Sequence, residues 1–140
     1  MKERTLTILK PDAVAKRCYG DIIQRILKAG FDIVAMKMVE MDEQSAREFY
    51  HVHINKPFFP ILLEFMTSGP AIVMVLEKEN AVEDFRKLIG ATDPKKAAEN
   101  TIRHQYAESA ERNIIHGSDS DAHAKEEIAH FFSNRDFCKI

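Results

Sequence analysis

A mixed α/β domain is what this sequence predicts, on three observations. Runs of β-forming residues alternate with stretches of helical apolar spacing, the breaks between them carry Gly, Pro, Asp or Ser, and no repeat, linker or composition shift divides the chain. Its 140 residues are enough for one sizeable core, so residues 1–140 read as a single domain.

Thr5-Leu6-Thr7-Ile8-Leu9 alternates as a strand and stops at Lys10-Pro11-Asp12, where Pro11 suits the first position of a turn or helix. From Asp21, the residues Ile22, Ile23, Ile26 and Leu27 recur at helical spacing and Gly30 supplies a left-handed cap. Phe31 to Met41 alternates again, with Phe31, Ile33 and Ala35 on one face and Val34, Met36 and Met38 on the other, predicting a long strand. Asp42 starts a helix that turns Ala46, Phe49 and Tyr50 inward. Pro57 opens a short helix, Phe58 to Met66, which completes a helical hairpin ended by Thr67-Ser68-Gly69-Pro70.

Ala71 to Leu76 is a continuous apolar run, as expected of a central strand covered on both faces. A helix from Asn80 places Val82, Phe85, Leu88 and Ile89 inward and ends at Gly90. Ala91 to Asn100 has no period and reads as a long loop, a length that hints at function. Ile114-Ile115 is the last short strand, and Ser118 to Phe132 a helix burying Ala124, Ile128, Phe131 and Phe132. Periodicity does not decide between a parallel and an antiparallel sheet.

Hydrophobic residues make up 45% and charged residues 30%, which excludes a disordered or low-complexity chain. Twenty Lys and Arg against 22 Asp and Glu leave a net charge of −2, so nothing in the bulk charge asks for nucleic acid or an anionic membrane. A polyanionic ligand has to be held by a local cluster. The densest apolar stretch, Phe58 to Met66, is broken by Pro60 and Glu64 and falls well short of the roughly 20 residues a membrane helix needs. Residues 1–4 lead straight into a strand and leave no room for a secretory signal, so the expectation is a cytoplasmic protein with Cys18 and Cys138 as free thiols.

Asn113-Ile114-Ile115-His116-Gly117-Ser118-Asp119-Ser120 sets a histidine between an apolar strand and a helix start rich in Ser and Asp. In one reading His116 is a nucleophile or acid/base beside an anion site, with Gly117 clearing space next to the imidazole. In the other, Ser118 or Asp119 caps the helix and the histidine lies in a turn. Glu127 follows Ser118 by nine positions, so the two need not share a helix face, yet a chain that folds back could bring the carboxylate to Ser118 or His116. Lys10, Arg86 and Arg103 each lie beside an element end or loop, and together could supply a polyphosphate site. Singly, each reads as a solvated charge. No GxxxxGK[ST] and no GxGxxG is present, so the Gly-rich phosphate loops are excluded. His51 and His53, and His123 and His130, read as surface or core histidines rather than metal ligands.

Six segments together resemble nucleoside diphosphate kinase. They are Thr7-Ile8-Leu9-Lys10-Pro11-Asp12-Ala13-Val14, Lys56-Pro57-Phe58-Phe59, Phe65-Met66-Thr67-Ser68-Gly69-Pro70, Gly90-Ala91-Thr92-Asp93-Pro94, Thr101-Ile102-Arg103 and the histidine segment 113–120. The resemblance runs from about residue 4 to residue 132, and the histidine segment is its most specific part. It implies a ferredoxin-like βαββαβ core with an antiparallel four-stranded sheet and added helices, forming a single domain of this type over 1–140. It implies ping-pong transfer of the γ-phosphate of a nucleoside triphosphate such as ATP to His116 at Nδ1, and from there to a nucleoside diphosphate, with broad base tolerance.

By the same resemblance Ser118 and Glu127 hold and polarise the histidine's surroundings, Lys10 contacts the transferred phosphate, and Tyr50 packs near the histidine. Arg86, Thr92 and Arg103 match phosphate-binding residues, Asn113 the residue bonding the sugar hydroxyl, and Phe58 the aromatic on which the base stacks. Mg²⁺ is expected to arrive on the nucleotide's phosphates, since no carboxylate cage is evident. Assembly as a tetramer or hexamer built from dimers is implied, and no membrane or specific nucleic acid as partner. Two positions depart from the pattern. Asn100 replaces a common Gly, and Ala110 stands where larger aliphatic residues commonly close the other side of the base. The alternatives are a nucleotide-binding regulatory protein with little turnover, and a ferredoxin-like nucleic-acid binder, which the charge and the helical setting of Phe58, Phe59 and Phe65 disfavour.

Overall fold

Antiparallel pairing organises the molecule, whose computed structural model describes residues 2–140. The elements are β1 (Lys2–Leu9), α1 (Pro11–Ala15), α2 (Tyr19–Lys28), β2 (Asp32–Val39), α3 (Glu43–Phe49), α4 (Phe59–Met66), β3 (Ala71–Glu79), α5 (Ala81–Ile89), α6 (Ile102–Tyr106), β4 (Ile115–Gly117) and α7 (Asp121–Phe131). The sheet order is β2-β3-β1-β4 and every neighbouring pair is antiparallel. With α2 and α5 as the crossovers this is the ferredoxin-like α+β fold, and it resolves the strand direction that periodicity left open.

Both faces of the sheet are covered. On one, Ile22 and Ile26 of α2, Phe85 of α5 and Ile102 of α6 pack on Leu9, Met74 and Leu76. On the other, Phe49 of α3, Phe65 and Met66 of α4 and Ile128 of α7 pack on Leu6, Ile8, Val73 and Val75. That is why Ala71 to Leu76 reads as an unbroken apolar run: both faces of β3 are interior. Each such side chain contributes about 1.5–3 kcal/mol by leaving water.

Several boundaries differ from the expectation for identifiable reasons. β1 begins three residues before Thr5, because Lys2, Glu3 and Arg4 lie opposite Glu79, Lys78 and Glu77 and the charges alternate across the pair. A bulge in β2 between Ile33 and Ala35 resets the inward and outward phase, so Val34 and Ala35 both enter the core on the α3 side, rather than falling on opposite faces. Helix α6 was unpredicted: it is five residues long, too short for a period, and is started by Thr101, whose hydroxyl accepts from His104 N–H at 3.3 Å. Ile114 is a turn residue and not part of the last strand. The cap of α7 is Ser120, accepting from His123 N–H at 3.1 Å, rather than Ser118 or Asp119.

Beneath α5, the hydroxyls of Thr5 and Thr7 are buried without a hydrogen-bond partner among the described residues. An orphaned hydroxyl in a packed core costs free energy that an apolar isostere does not. Thr7→Val should therefore raise stability by about 1 kcal/mol, read as a higher denaturation midpoint in urea with an unchanged m-value. A lower midpoint would show that Thr7 finds a partner in solution.

Candidate active site

A cavity of about 970 Å³ opens between the α3–α4 hairpin, the C-terminal end of α5 and α7. Nine of the ten site residues singled out in the sequence line it: Lys10, Tyr50, Phe58, Arg86, Thr92, Arg103, Asn113, His116 and Glu127. Ser118, the tenth, is fully buried just behind His116. Sheet topology explains this convergence of residues distant in sequence. β4 pairs with β1, setting His116 opposite Ile8, while the end of α5 and the loop after it deliver Arg86 and Thr92.

His116 Nε2 lies 2.9 Å from Glu127 Oε1. A carboxylate only accepts, so the ring nitrogen facing it carries the proton, and the neutral imidazole is left with its lone pair on Nδ1. Glu127 is itself held: Ser118 Oγ donates to the same Oε1 at 2.7 Å while accepting from Leu6 N–H at 3.1 Å. The backbone before α7 does fold back, bringing Ser118 and Glu127 together across their nine-residue separation. Phe49 meets the imidazole edge-on with centroids 5.5 Å apart, and Tyr50 packs edge-on against Phe49 with a buried hydroxyl that has no partner among the described residues. Burial, and secondarily the nearby Glu127 charge, push the Tyr50 hydroxyl well above its ordinary pKa, so it remains a neutral donor.

The cations converge as the sequence suggested. Lys10 is buried and donates to Asn113 Oδ1 at 2.7 Å. Burial, then the Arg103 charge, lower its ammonium to about 7, against an opposing pull from Asp12. Arg103 spends two nitrogens on backbone, donating to Gly90 O at 2.9 Å and Ile115 O at 2.7 Å, and its buried Nε has no partner among the described residues. Burial and the neighbouring Arg86 lower it to about 10, so it is still charged at neutral pH. Arg86 is ion-paired with Asp119 at the rim. An unsatisfied guanidinium nitrogen and a buried lysine in one cavity suit a multiply charged anion.

Two glycines behave differently from each other. Gly90, at φ +90°, has no room for a side chain, since a Cβ would lie 2.5 Å from Thr101 Oγ1. At Gly117 a Cβ would point at Phe85 and Ile89, 3.0 and 3.1 Å away, so this glycine serves the packing of α5 on β4 rather than ligand access beside His116, as the sequence suggested. Three other histidines have partners of their own. His51 bonds Glu48 O and faces Glu126, His53 lies between Tyr50 and Phe58, and His130 meets Ser45. Among the described residues no group of His, Cys, Asp or Glu is arranged to hold a metal ion.

Sequence reasoning missed Asp12 and Ile114. Ile114 sits at φ +73°, a region that costs a β-branched residue of order 1–3 kcal/mol, and Asp12 is buried against it. No sequence signal marks a left-handed isoleucine, whereas Asp12 was visible in the Lys-Pro-Asp segment of the resemblance but was given no role.

Comparison with known proteins identifies the family. The family model described as nucleoside diphosphate kinase matches residues 3–137. The chain is 56% identical over 138 residues to a nucleoside diphosphate kinase of Prosthecochloris aestuarii, covering 99% of this chain and 98% of that one. It is 55% identical over 130 residues to one of Salinibacter ruber, covering 93% and 92%. The crystal structure of the Aquifex aeolicus nucleoside diphosphate kinase superposes with a TM-score of 0.96 at 44% identity, covering 99% of this chain and 100% of that one. A Halobacterium salinarum nucleoside diphosphate kinase in complex with CDP does so at 0.97 and 40%, covering 100% and 93%. These relatives are phosphotransferases, a class that generally needs a divalent metal, and no helix among the described residues is long and apolar enough to cross a membrane. With its histidine, buried cations and ferredoxin-like sheet so placed, and with relatives this similar along its whole length, the chain belongs to the nucleoside diphosphate kinase family.

Proposed function

We propose that the chain transfers the γ-phosphoryl group of a nucleoside triphosphate to Nδ1 of His116 and then to a nucleoside diphosphate. The observation that carries this reading is the 2.9 Å contact of His116 Nε2 with Glu127, which leaves Nδ1 as the nucleophilic nitrogen in a cavity lined by Lys10, Arg86 and Arg103. In the first half-reaction the Nδ1–P bond forms as the bond from phosphorus to the β,γ-bridging oxygen breaks, and the nucleoside diphosphate leaves. The ring keeps its Nε2 proton, and Glu127 stabilises the positive charge the imidazole gains. The second half-reaction reverses these steps with a different acceptor. Lys10, Arg86, Arg103 and Thr92 are assigned to the phosphates, Asn113 to the sugar hydroxyl, Tyr50 to the wall behind the histidine, and Ser118 to orienting Glu127.

Phe58 is 42% exposed at the cavity mouth, a surface on which any base can stack through its π-face, which supports broad base tolerance. Ala110 lines the same cavity and leaves the far side of the base lightly covered. Ala110→Leu should lower the nucleotide Kd several-fold, about 1 kcal/mol for one or two methylenes buried against the base. Equal Kd values for the two proteins would remove Ala110 from the base site. Mg²⁺ is assigned to the nucleotide's phosphates, in keeping with the lack of a protein cage among the described residues.

We take residues 1–140 as one domain acting in the cytoplasm, and as a tetramer or hexamer built from dimers. The open edge of β2, with Met36 52% and Met38 58% exposed, supports assembly. The labelling experiment that tests the reaction is direct. Protein mixed with ATP labelled at the γ-phosphate and freed of nucleotide should carry acid-labile, alkali-stable label that moves to an added nucleoside diphosphate. Tight nucleotide binding without any label would instead make this a nucleotide-binding protein.

A further inference from the structure

Ile114 joins the two halves of the site, with Asn113 before it and β4, bearing His116, after it. Its left-handed turn is closed by Ile115 N–H donating to Asn113 O at 2.8 Å. The turn's own peptide groups are pinned by the segment after β1: Ile114 N–H donates to Asp12 Oδ2 at 3.1 Å, and Lys10 N–H donates to Ile114 O at 2.8 Å. The other oxygen of Asp12 accepts from Ala13 N–H at 3.0 Å, so the carboxylate cannot rotate away. Asp12 is buried and does not line the cavity. A strained residue persists only where its surroundings over-determine it, and among these restraints Asp12 is the one supplied by a side chain.

We propose that Asp12 is a positioning residue for phosphoryl transfer, holding Ile114 in its left-handed turn so that Asn113 and His116 keep their spacing. This rests on the phosphohistidine reading above. The charged groups that face Lys10 are Arg103 of α6, which disfavours its ammonium, and Asp12 of α1, which favours it. Removing the Asp12 charge therefore makes Lys10 lose its proton at a lower pH. Phosphate binding needs the ammonium, so the alkaline fall of kcat/KM moves to lower pH. A role confined to fold stability would lower the melting temperature and leave that limb in place.

The test compares the full chain, Asp12→Asn, Ile114→Gly and the double variant, by the rate of His116 labelling from γ-labelled ATP and by kcat/KM against pH. Asp12→Asn is near-isosteric and should melt cooperatively. It should label at least about tenfold more slowly and show the displaced alkaline limb. In the Ile114→Gly background, where a positive φ carries no penalty, adding Asp12→Asn should slow labelling much less. Should Asp12→Asn fail to fold, Asp12→Ser, which is smaller and keeps one acceptor, takes its place. Labelling within about twofold of the parent, or an equal penalty in both backgrounds with an unmoved limb, overturns the proposal. If the parent chain takes no label at all, the phosphohistidine reading falls and this one with it, an outcome visible before any variant is made.

Discussion

Replacing His116 with Ala is expected to abolish phosphoryl transfer, by at least about 10⁴-fold in kcat, while nucleotide still binds with a Kd within a few-fold of the parent. The asymmetry follows from the division of labour in the cavity. Lys10, Arg86 and Arg103, assigned above to the phosphates, and Phe58, assigned to the base, are side chains separate from the imidazole in the same cavity, so binding should survive its removal. The nucleophile has no understudy. Of the other histidines lining the cavity, His51 has both ring nitrogens engaged, by Glu48 O and Glu126, His130 meets Ser45, and His53 lies between Tyr50 and Phe58. Removing the ring frees Glu127 Oε1 of one partner, but Ser118 still donates to it, so the local fold should hold. Residual turnover above about 1% of the parent would mean direct transfer between two bound nucleotides, a mechanism the covalent reading excludes.

Arg103→Ala is expected to have the second largest effect, a fall in kcat/KM of about 10²- to 10³-fold. Arg103 is fixed in place by its two backbone bonds, and in the proposed reaction its charge faces the migrating phosphoryl group. Its loss also leaves Gly90 O and Ile115 O without their donors, so part of the effect is structural, and the variant should melt at a lower temperature. Arg103→Lys separates the two contributions. It keeps a positive charge but not a fork of donors, and should recover little of kcat/KM, because one ammonium cannot serve both carbonyls and a phosphate. Recovery to within a few-fold of the parent would reduce the role of Arg103 to simple charge.

What could be read in advance, and what could not, divides along physical lines. The strands and long helices were legible because burial writes a period into the chain: β3 is covered on both faces and reads as an unbroken apolar run, α5 on one and reads as Val82, Phe85, Ile89. The direction of the strands left no period and came only through the resemblance. Helix α6 was invisible because a five-residue element has no period to show. The bulge in β2 was hidden because its effect is to shift phase, and a shifted alternation still alternates. The contact of Ser118 with Glu127 stayed open in the pattern, since nine positions apart on one helix they would not meet and only a chain that folds back joins them. Ser118 in fact precedes the helix, in the extended chain after β4.

The pairing of β4 with β1 carries a consequence for the order in which the molecule becomes active. Leu6, which donates its amide to Ser118, is separated from it by 112 residues of chain, and Lys10 from Asn113 by 103. Closing contacts of such sequence separation is entropically expensive and is rewarded late, after the local helices and the shorter-range pairing of β2 with β3 have formed. The imidazole and its carboxylate partner are near in sequence, but the strand pairing and the Ser118 and Asn113 bonds that hold the site around them form only once the most distant parts of the chain have docked. Enzymatic competence then marks the end of folding, and a partly assembled chain would hold much of its secondary structure without the power to take up a phosphoryl group.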